Sequence, residues 1–252
     1  MAYSLTMKTY LMRDTMTRKT VAALLMGAAL TTASLAVVTP VLAQTTQDGV
    51  YRNEVAAEKA FPLLKGFLAL PASERDAISL NYVLRIKNGN PKEAQILLKH
   101  QGQATKLNIL ADGRISPLPT LAQMNSGARI EVSGPSTMSV AMRLRVYATA
   151  KPAKTMPAAP LIRAVDQTNR VARKVGGVLA LALPKQDRVF FDGAGNGTVT
   201  LADGSTKALP KTPKSDVVPA GTPYFVPADH KTATSLTFDT VPKRVLISDQ
   251  VK

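Results

Sequence analysis

The stretch TMSVAMRLRVYA, residues 137–148, decides the fold class. Met138, Val140, Met142, Leu144 and Val146 fall on one side of an extended chain, and Ser139, Ala141, Arg143 and Arg145 on the other. Alternation of this period marks a strand with one face in a core and the other in water. Working outward, ISLNYVLRI (78–86), QILLKH (95–100), ATKLNIL (104–110) and ARIEV (128–132) read as strands on its N-terminal side. On the C-terminal side VLALAL (178–183), RVFF (188–191), TVTL (198–201), TPYFV (222–226), ATSLTF (233–238) and RVLI (244–247) read the same way. Pro219, Pro223, Pro227 and Pro242 confine the last of these to short or edge strands.

Helical composition is confined to two places. EVAAEKAFPLLKGFLAL (54–70) is interrupted or restarted at Pro62, and LIRAVDQTNRVARKV (161–175) ends in basic residues before Gly176-Gly177. Between the two halves, TAKPAKTMPAAP (149–160) has no periodicity and is rich in Ala, Pro and Lys, the composition of a linker. The expectation is mainly β: two tandem antiparallel β-sandwich or small-barrel domains, 54–148 and 161–252, each preceded by a short helix, with a flexible stretch at 44–53.

An internal duplication accounts for the parallel order of elements. LADGRISPLP (110–119) returns as LADGSTKALP (201–210), PLLKGF (62–67) matches PLIRAV (160–165), and NSGARIEV (125–132) lies opposite PAGTPYFV (219–226). One detail resists: superposing the LADG turns sets Val199 on Asn108 rather than on an apolar neighbour. Either a bulge shifts the pleat there, or the turns are convergent.

The first 43 residues have the form of a signal peptide. Lys8, Arg13, Arg18 and Lys19 precede the apolar run VAALLMGAALTTASLAVV (21–38), and Val41 and Ala43 supply small residues at a cleavage site. The run is just long enough for an uncleaved anchor, but Pro40 and the Val-x-Ala site favour cleavage after Ala43. Met7 and Met16 are alternative starts to Met1. No transmembrane segment is expected beyond the leader, and the expected location is the periplasm or exterior of a Gram-negative bacterium.

The chain contains no cysteine, which removes thiol catalysis, thiolate metal sites and disulfides. It carries +15, or +12 once the leader's four basic residues and Asp14 are removed. Such a charge draws a protein toward anionic surfaces. Arg163, Arg170 and Lys174, with Arg173 further round, share one side of the second helix. They form a candidate anion-binding ridge that Arg143 and Arg145 extend; the alternative is a solvated helix face. Export and scarce aromatics make nucleic acid a poor partner, leaving an anionic envelope component or a protein.

No motif for catalysis, metal or cofactor appears. Six Asp-Gly or Asn-Gly pairs mark hairpin turns, Asp112-Gly113 and Asp203-Gly204 among them. DGAGNG (192–197) lacks the spacing of a phosphate loop and offers too few oxygens for calcium. His100 and His230 stand alone, with no G-x-S-x-G or S-x-x-K to pair with them. The sequence therefore points to an exported, non-enzymatic, basic binding or envelope-associated protein. The alternatives are a periplasmic chaperone-like module of two sandwiches and a hydrolase of envelope polymer acting through scattered carboxylates.

Overall fold

The structure is a computed structural model and describes residues 50–177, 184–213 and 217–249. The leader, residues 44–49 and the expected strand 178–183 lie outside the described residues. The chain is mainly β, with three antiparallel sheets.

In the first half, β1 (Val50–Ala56) leads into α1 (Ala57–Ala60) and α2 (Leu64–Ala69). There follow β2 (Ile78–Lys87), β3 (Gln95–His100), β4 (Gln103–Ile109), β5 (Ile115–Ser116), α3 (Leu121–Asn125), β6 (Arg129–Pro135) and β7 (Ser139–Ala148). In the second half, β8 (Thr155–Pro157) leads into α4 (Ala158–Val175). Then come β9 (Arg188–Asp192), β10 (Gly197–Leu201), β11 (Thr206–Ala208), β12 (Tyr224–Phe225), β13 (Ala233–Phe238) and β14 (Arg244–Ser248).

Two local expectations are corrected. The stretch 50–56, expected as flexible chain and then helix, is strand β1. Its Tyr51 packs against the core while the whole segment pairs with β6, and this outweighs the helical composition of EVAAEKA. The helical segment that follows is interrupted beside Pro62, as expected, with the break at Leu63, whose φ of 69° is left-handed. The segment 149–160, expected as a linker, supplies β8 and the first turn of α4. Met156 is buried opposite Leu236 of the neighbouring strand β13, and Pro160 stands in a first helical turn, where its missing N–H costs nothing.

The sheet orders are β1-β6-β3-β4-β5, β11-β10-β13-β8 and β12-β9-β14-β7-β2. The run β1-β6-β3-β4 becomes β8-β13-β10-β11 when every label advances by seven, and the pair β2-β7 becomes β9-β14 in the same way. The correspondence continues at the margins. The bridge Val83↔Arg114 beside β2 answers the β9-β12 pairing, and Lys211↔Pro223 answers β4-β5.

The LADG turns do not follow this correspondence. The first closes the turn between β4 and β5, whereas the second closes the β10–β11 hairpin, whose counterpart is the β3–β4 turn. NSGARIEV and PAGTPYFV likewise fall on β6 and β12, which are not counterparts. What the two decamers share is local. Leu110 N–H donates to Arg114 O at 2.8 Å and Gly113 N–H to Leu110 O at 2.8 Å. Leu201 and Gly204 do the same at 2.8 and 3.0 Å. Gly113 and Gly204 sit at φ 80° and 82°, so each turn needs its glycine.

The halves meet within one sheet. Leu246 pairs with Tyr147 and Ile247 with Val146, which makes β12-β9-β14-β7-β2 continuous across the seam. One cluster of buried side chains runs from Ala57 and Phe61 through Leu161 and Ala164 to Val245 and Ile247. Helix α4 lies against strands of both halves and buries Leu161, Ala164, Val165 and Val171. Its Gln167 is 1% exposed and fixes the loop before β2. The amide oxygen accepts from Ala77 N–H (2.8 Å), and the amide nitrogen donates to Ser73 O (3.3 Å) and Asp76 Oδ1 (2.9 Å).

Candidate anion-binding face

The central sheet has two unlike faces. Leu80, Tyr82 and Leu84 of β2 and Met142, Leu144 and Val146 of β7 turn toward the main core and α4. By the pleat, the alternate residues turn the other way. On β2 these are Ser79, Asn81, Val83, Arg85 and Lys87; on β7 they are Ser139, Ala141, Arg143, Arg145 and Tyr147. The register sets Arg143 opposite Val83 and Arg85 opposite Ala141, so the cations are staggered rather than directly opposed. Neither strand contains a carboxylate. Arg85 and Lys87 are exposed, Arg143 and Arg145 half-buried. Arg85, Arg143 and Arg145 each make contacts of their own.

Toward the second half this face changes character. Phe190, Leu246 and Val218, flanked by Tyr147, Val217 and Tyr224, form a separate small apolar cluster over the sheet. At its border stands an ion-paired group. Arg244 of β14 holds Asp192 (Nη2–Oδ2 2.8 Å) and Asp112 (Nη1–Oδ2 3.0 Å). Arg114 holds Asp112 from the other side (Nε–Oδ2 2.7 Å) and donates to Asn81 Oδ1 at 3.4 Å. Asp112 thus does more than close its turn, because it joins the first-half loop to the second-half strand. Burial alone raises its carboxyl pKa. The Arg114 backbone N–H and guanidinium, with Arg244 beyond, outweigh that and hold it below the usual carboxylate range.

Within this group the two carboxylates, Asp112 and Asp192, are matched by the two guanidiniums of Arg114 and Arg244. A general acid needs a carboxyl held above its usual range, and Asp112 is held below it.

The helix residues singled out from sequence lie elsewhere. Arg163 pairs with Asp76 (Nη2–Oδ1 2.7 Å), Lys174 with Glu74 (2.6 Å), and Arg170 and Arg173 are exposed. Because α4 packs on the core side of the central sheet, Arg143 and Arg145 do not extend its ridge: the sheet lies between them. The sequence reading missed Arg85, Lys87, Arg114 and Arg244. For Arg85 and Lys87 the signal was present, as basic residues at alternate positions at the polar end of a strand. For Arg114 and Arg244 nothing in the sequence marks the approach of a turn in one half to a strand in the other.

The remaining motifs resolve locally. Asp203 Oδ1 accepts from Ser205 N–H (2.9 Å) and Oγ (2.6 Å), and these bonds lower its pKa. In DGAGNG, Asn196 donates to Asp239 at 2.6 Å. His100 Nε2 meets Ser126 Oγ on the surface, and that hydroxyl is also within reach of Ala122 O at 2.8 Å. His230 stacks on Phe225, and its Nδ1 is buried without a partner. Among the described residues no group of His, Asp and Glu is placed to hold a metal, and no helix is long and apolar enough to cross a membrane. No protein-family model, curated protein or solved structure matches the chain.

Proposed function

We propose that the protein is an exported, non-enzymatic binding protein of the cell envelope whose outward face on β2 and β7 contacts an anionic polymer. The observation that carries this reading is that Arg85, Lys87, Arg143 and Arg145 share one face of two paired strands that carry no carboxylate. Opposed strands hold these cations at fixed spacing, so little conformational entropy is lost when a polyanion lies across them. The net charge of +12 that remains once the leader is removed adds long-range attraction. Export rests on the basic, apolar and Val-x-Ala segments of residues 1–43.

The two halves are read as two copies of one seven-strand unit, tandem in sequence and fused through β7 and β14. Support comes from strand order, which recurs with every label advanced by seven, and not from the LADG decamers. In the second copy, Phe190 and Leu246 cover the surface that the first copy leaves basic, consistent with one copy holding the contact face and the other being buttressed.

The test is recovery from envelope extract. Immobilised protein retains lipopolysaccharide or another acidic polymer at low salt and releases it at high salt, since displaced counterions drive such binding. Retention of neutral polysaccharide equally well, or of nothing at low salt, rejects the reading.

A further inference from the structure

Strand β1 is an edge. It pairs with β6 on one side, and no described residue pairs with it on the other. The other edges are short or covered: β5 and β12 have two residues each, β8 and β11 three, and β2 is met by Gly113 O at Leu84 N–H. Ala57 N–H donates to Ala128 O at 2.9 Å, and Val55 stands opposite Ile130. In an antiparallel ladder this turns the peptide groups of Tyr51, Asn53 and Val55 toward β6 and those of Arg52 and Glu54 outward.

Uncovered edges are commonly guarded by charges that would face their own kind if two copies met. Here Arg52 and Glu54 flank Asn53 symmetrically on one face, with opposite charge. Lys99 and Arg129 hold the Glu54 carboxyl below its usual range, so it is ionised at neutral pH. We propose that β1 pairs antiparallel with β1 of a second copy about a two-fold axis at Asn53, joining two five-stranded sheets edge to edge.

In that register Arg52, which within its own copy is 3.6 Å from Glu131, lies opposite Glu54 of the other copy, twice over by symmetry, and Tyr51 lies opposite Val55 on the other face. The outward peptide groups of Arg52 and Glu54 form the new hydrogen-bonded pairs, with Glu54 O exchanging its long 3.5 Å contact from Arg129 Nη2 for the Arg52 N–H of the second copy, so ladder and charges agree on one register. The same patch serves both copies, as a two-fold interface requires.

The experiment uses the purified protein in two ways. Asn53→Cys places a cysteine opposite its own copy in a chain that otherwise has none. A non-hydrogen-bonded antiparallel pair has Cα atoms about 4.5 Å apart, within disulfide range. Mild oxidation is expected to give a covalent dimer quickly, and far more slowly for Val50→Cys, which lies opposite Ala56. In sedimentation equilibrium, Arg52→Glu and Glu54→Arg are each expected to weaken self-association about tenfold, because each turns two attractions into repulsions. An equimolar mixture of the two variants restores a heterodimer, because every contact is then between opposite charges. A wild-type chain that stays monomeric, an Arg52→Glu variant that self-associates as tightly as wild type, or a mixture that forms no heterodimer overturns the proposal.

Discussion

Replacing Gln167 with alanine is expected to lower the stability of the whole molecule by about 2–4 kcal/mol. The side chain is almost wholly buried and satisfies three groups of the loop before β2. Its loss leaves the Ala77 N–H without an acceptor, which costs about 1–3 kcal/mol for a buried donor. Asp76 keeps Arg163 and its solvent contact, so little is lost there. The space left by the amide adds about 1 kcal/mol. The assay is urea unfolding followed by far-ultraviolet circular dichroism, since the chain has no tryptophan. A continuous core predicts a single transition that moves to lower urea at unchanged slope. In a thermal scan the same loss corresponds to a fall of roughly 5–15 °C for a chain of this size. Gln167→Glu is the discriminating partner. It keeps an acceptor for Ala77 but sets a carboxylate against Asp76, so its folded-state pKa is raised. A raised carboxyl destabilises most above that pKa and is relieved as pH falls. Its penalty should shrink strongly between pH 7 and about pH 4, while that of Gln167→Ala shrinks only slightly, and only toward the acid end, because the one pH-dependent part of its loss is the hydrogen bond that lowers the Asp76 pKa. A change below about 0.5 kcal/mol for Gln167→Ala, or two separate transitions in wild type, refutes the reasoning.

Asp112 and Glu54 both have lowered folded-state pKa values, so their stabilisation is present above the ordinary carboxylate range and lost as pH falls through the lowered values. The thermal midpoint should therefore drop steeply below about pH 4, and Asp112→Asn should flatten that drop; an unchanged acid limb in the variant counts against the Arg114–Asp112–Arg244 linkage. Gly197→Ala places a Cβ 2.8 Å from the Phe238 ring and 2.9 Å from Leu209, in a packed core, and should cost about 1–3 kcal/mol in urea unfolding. Gly134→Ala meets the terminal methyl and sulfur of Met138, the far end of a flexible side chain that can swing aside, and Glu93 O only at 3.4 Å, so it should cost less than Gly197→Ala, about 1 kcal/mol; equal costs contradict this account of the packing. N-terminal sequencing of protein recovered from the periplasm or medium should begin at Gln44, and a start before Ala43 counts against the cleavage site read from the sequence.

The parts of the fold written in local chemistry were legible. Strand β7 announces itself by alternation, and α4 by Leu161, Ile162, Val165 and Val171 at helical spacing. Strand β1 was hidden because Glu54 to Phe61 has the composition of a helix, and only pairing with β6 decides against it. The seam was hidden for a related reason. Tyr147 and Leu246 are ordinary strand residues, and nothing in either names the other as partner. The LADG decamers misled because an Asp-Gly turn solves a local problem, closing two hydrogen bonds around a left-handed residue, wherever a tight reversal occurs. The mismatch of Val199 with Asn108 was the sign of convergence. Of the candidate site, the alternate cations of β7 could be read from the chain. Their separation from the α4 cations follows from which side of the sheet the helix packs on, a fact of tertiary structure alone.

The most direct test of the central claim compares binding to a lipopolysaccharide surface by wild type, Arg85→Gln/Lys87→Gln and Arg170→Gln/Arg173→Gln across a salt series. The account predicts that the first pair loses about tenfold or more in affinity, with a salt dependence shallower by about two counterions. The helix pair should bind within about twofold of wild type. Loss of binding in the helix pair with the β2 pair unaffected contradicts it.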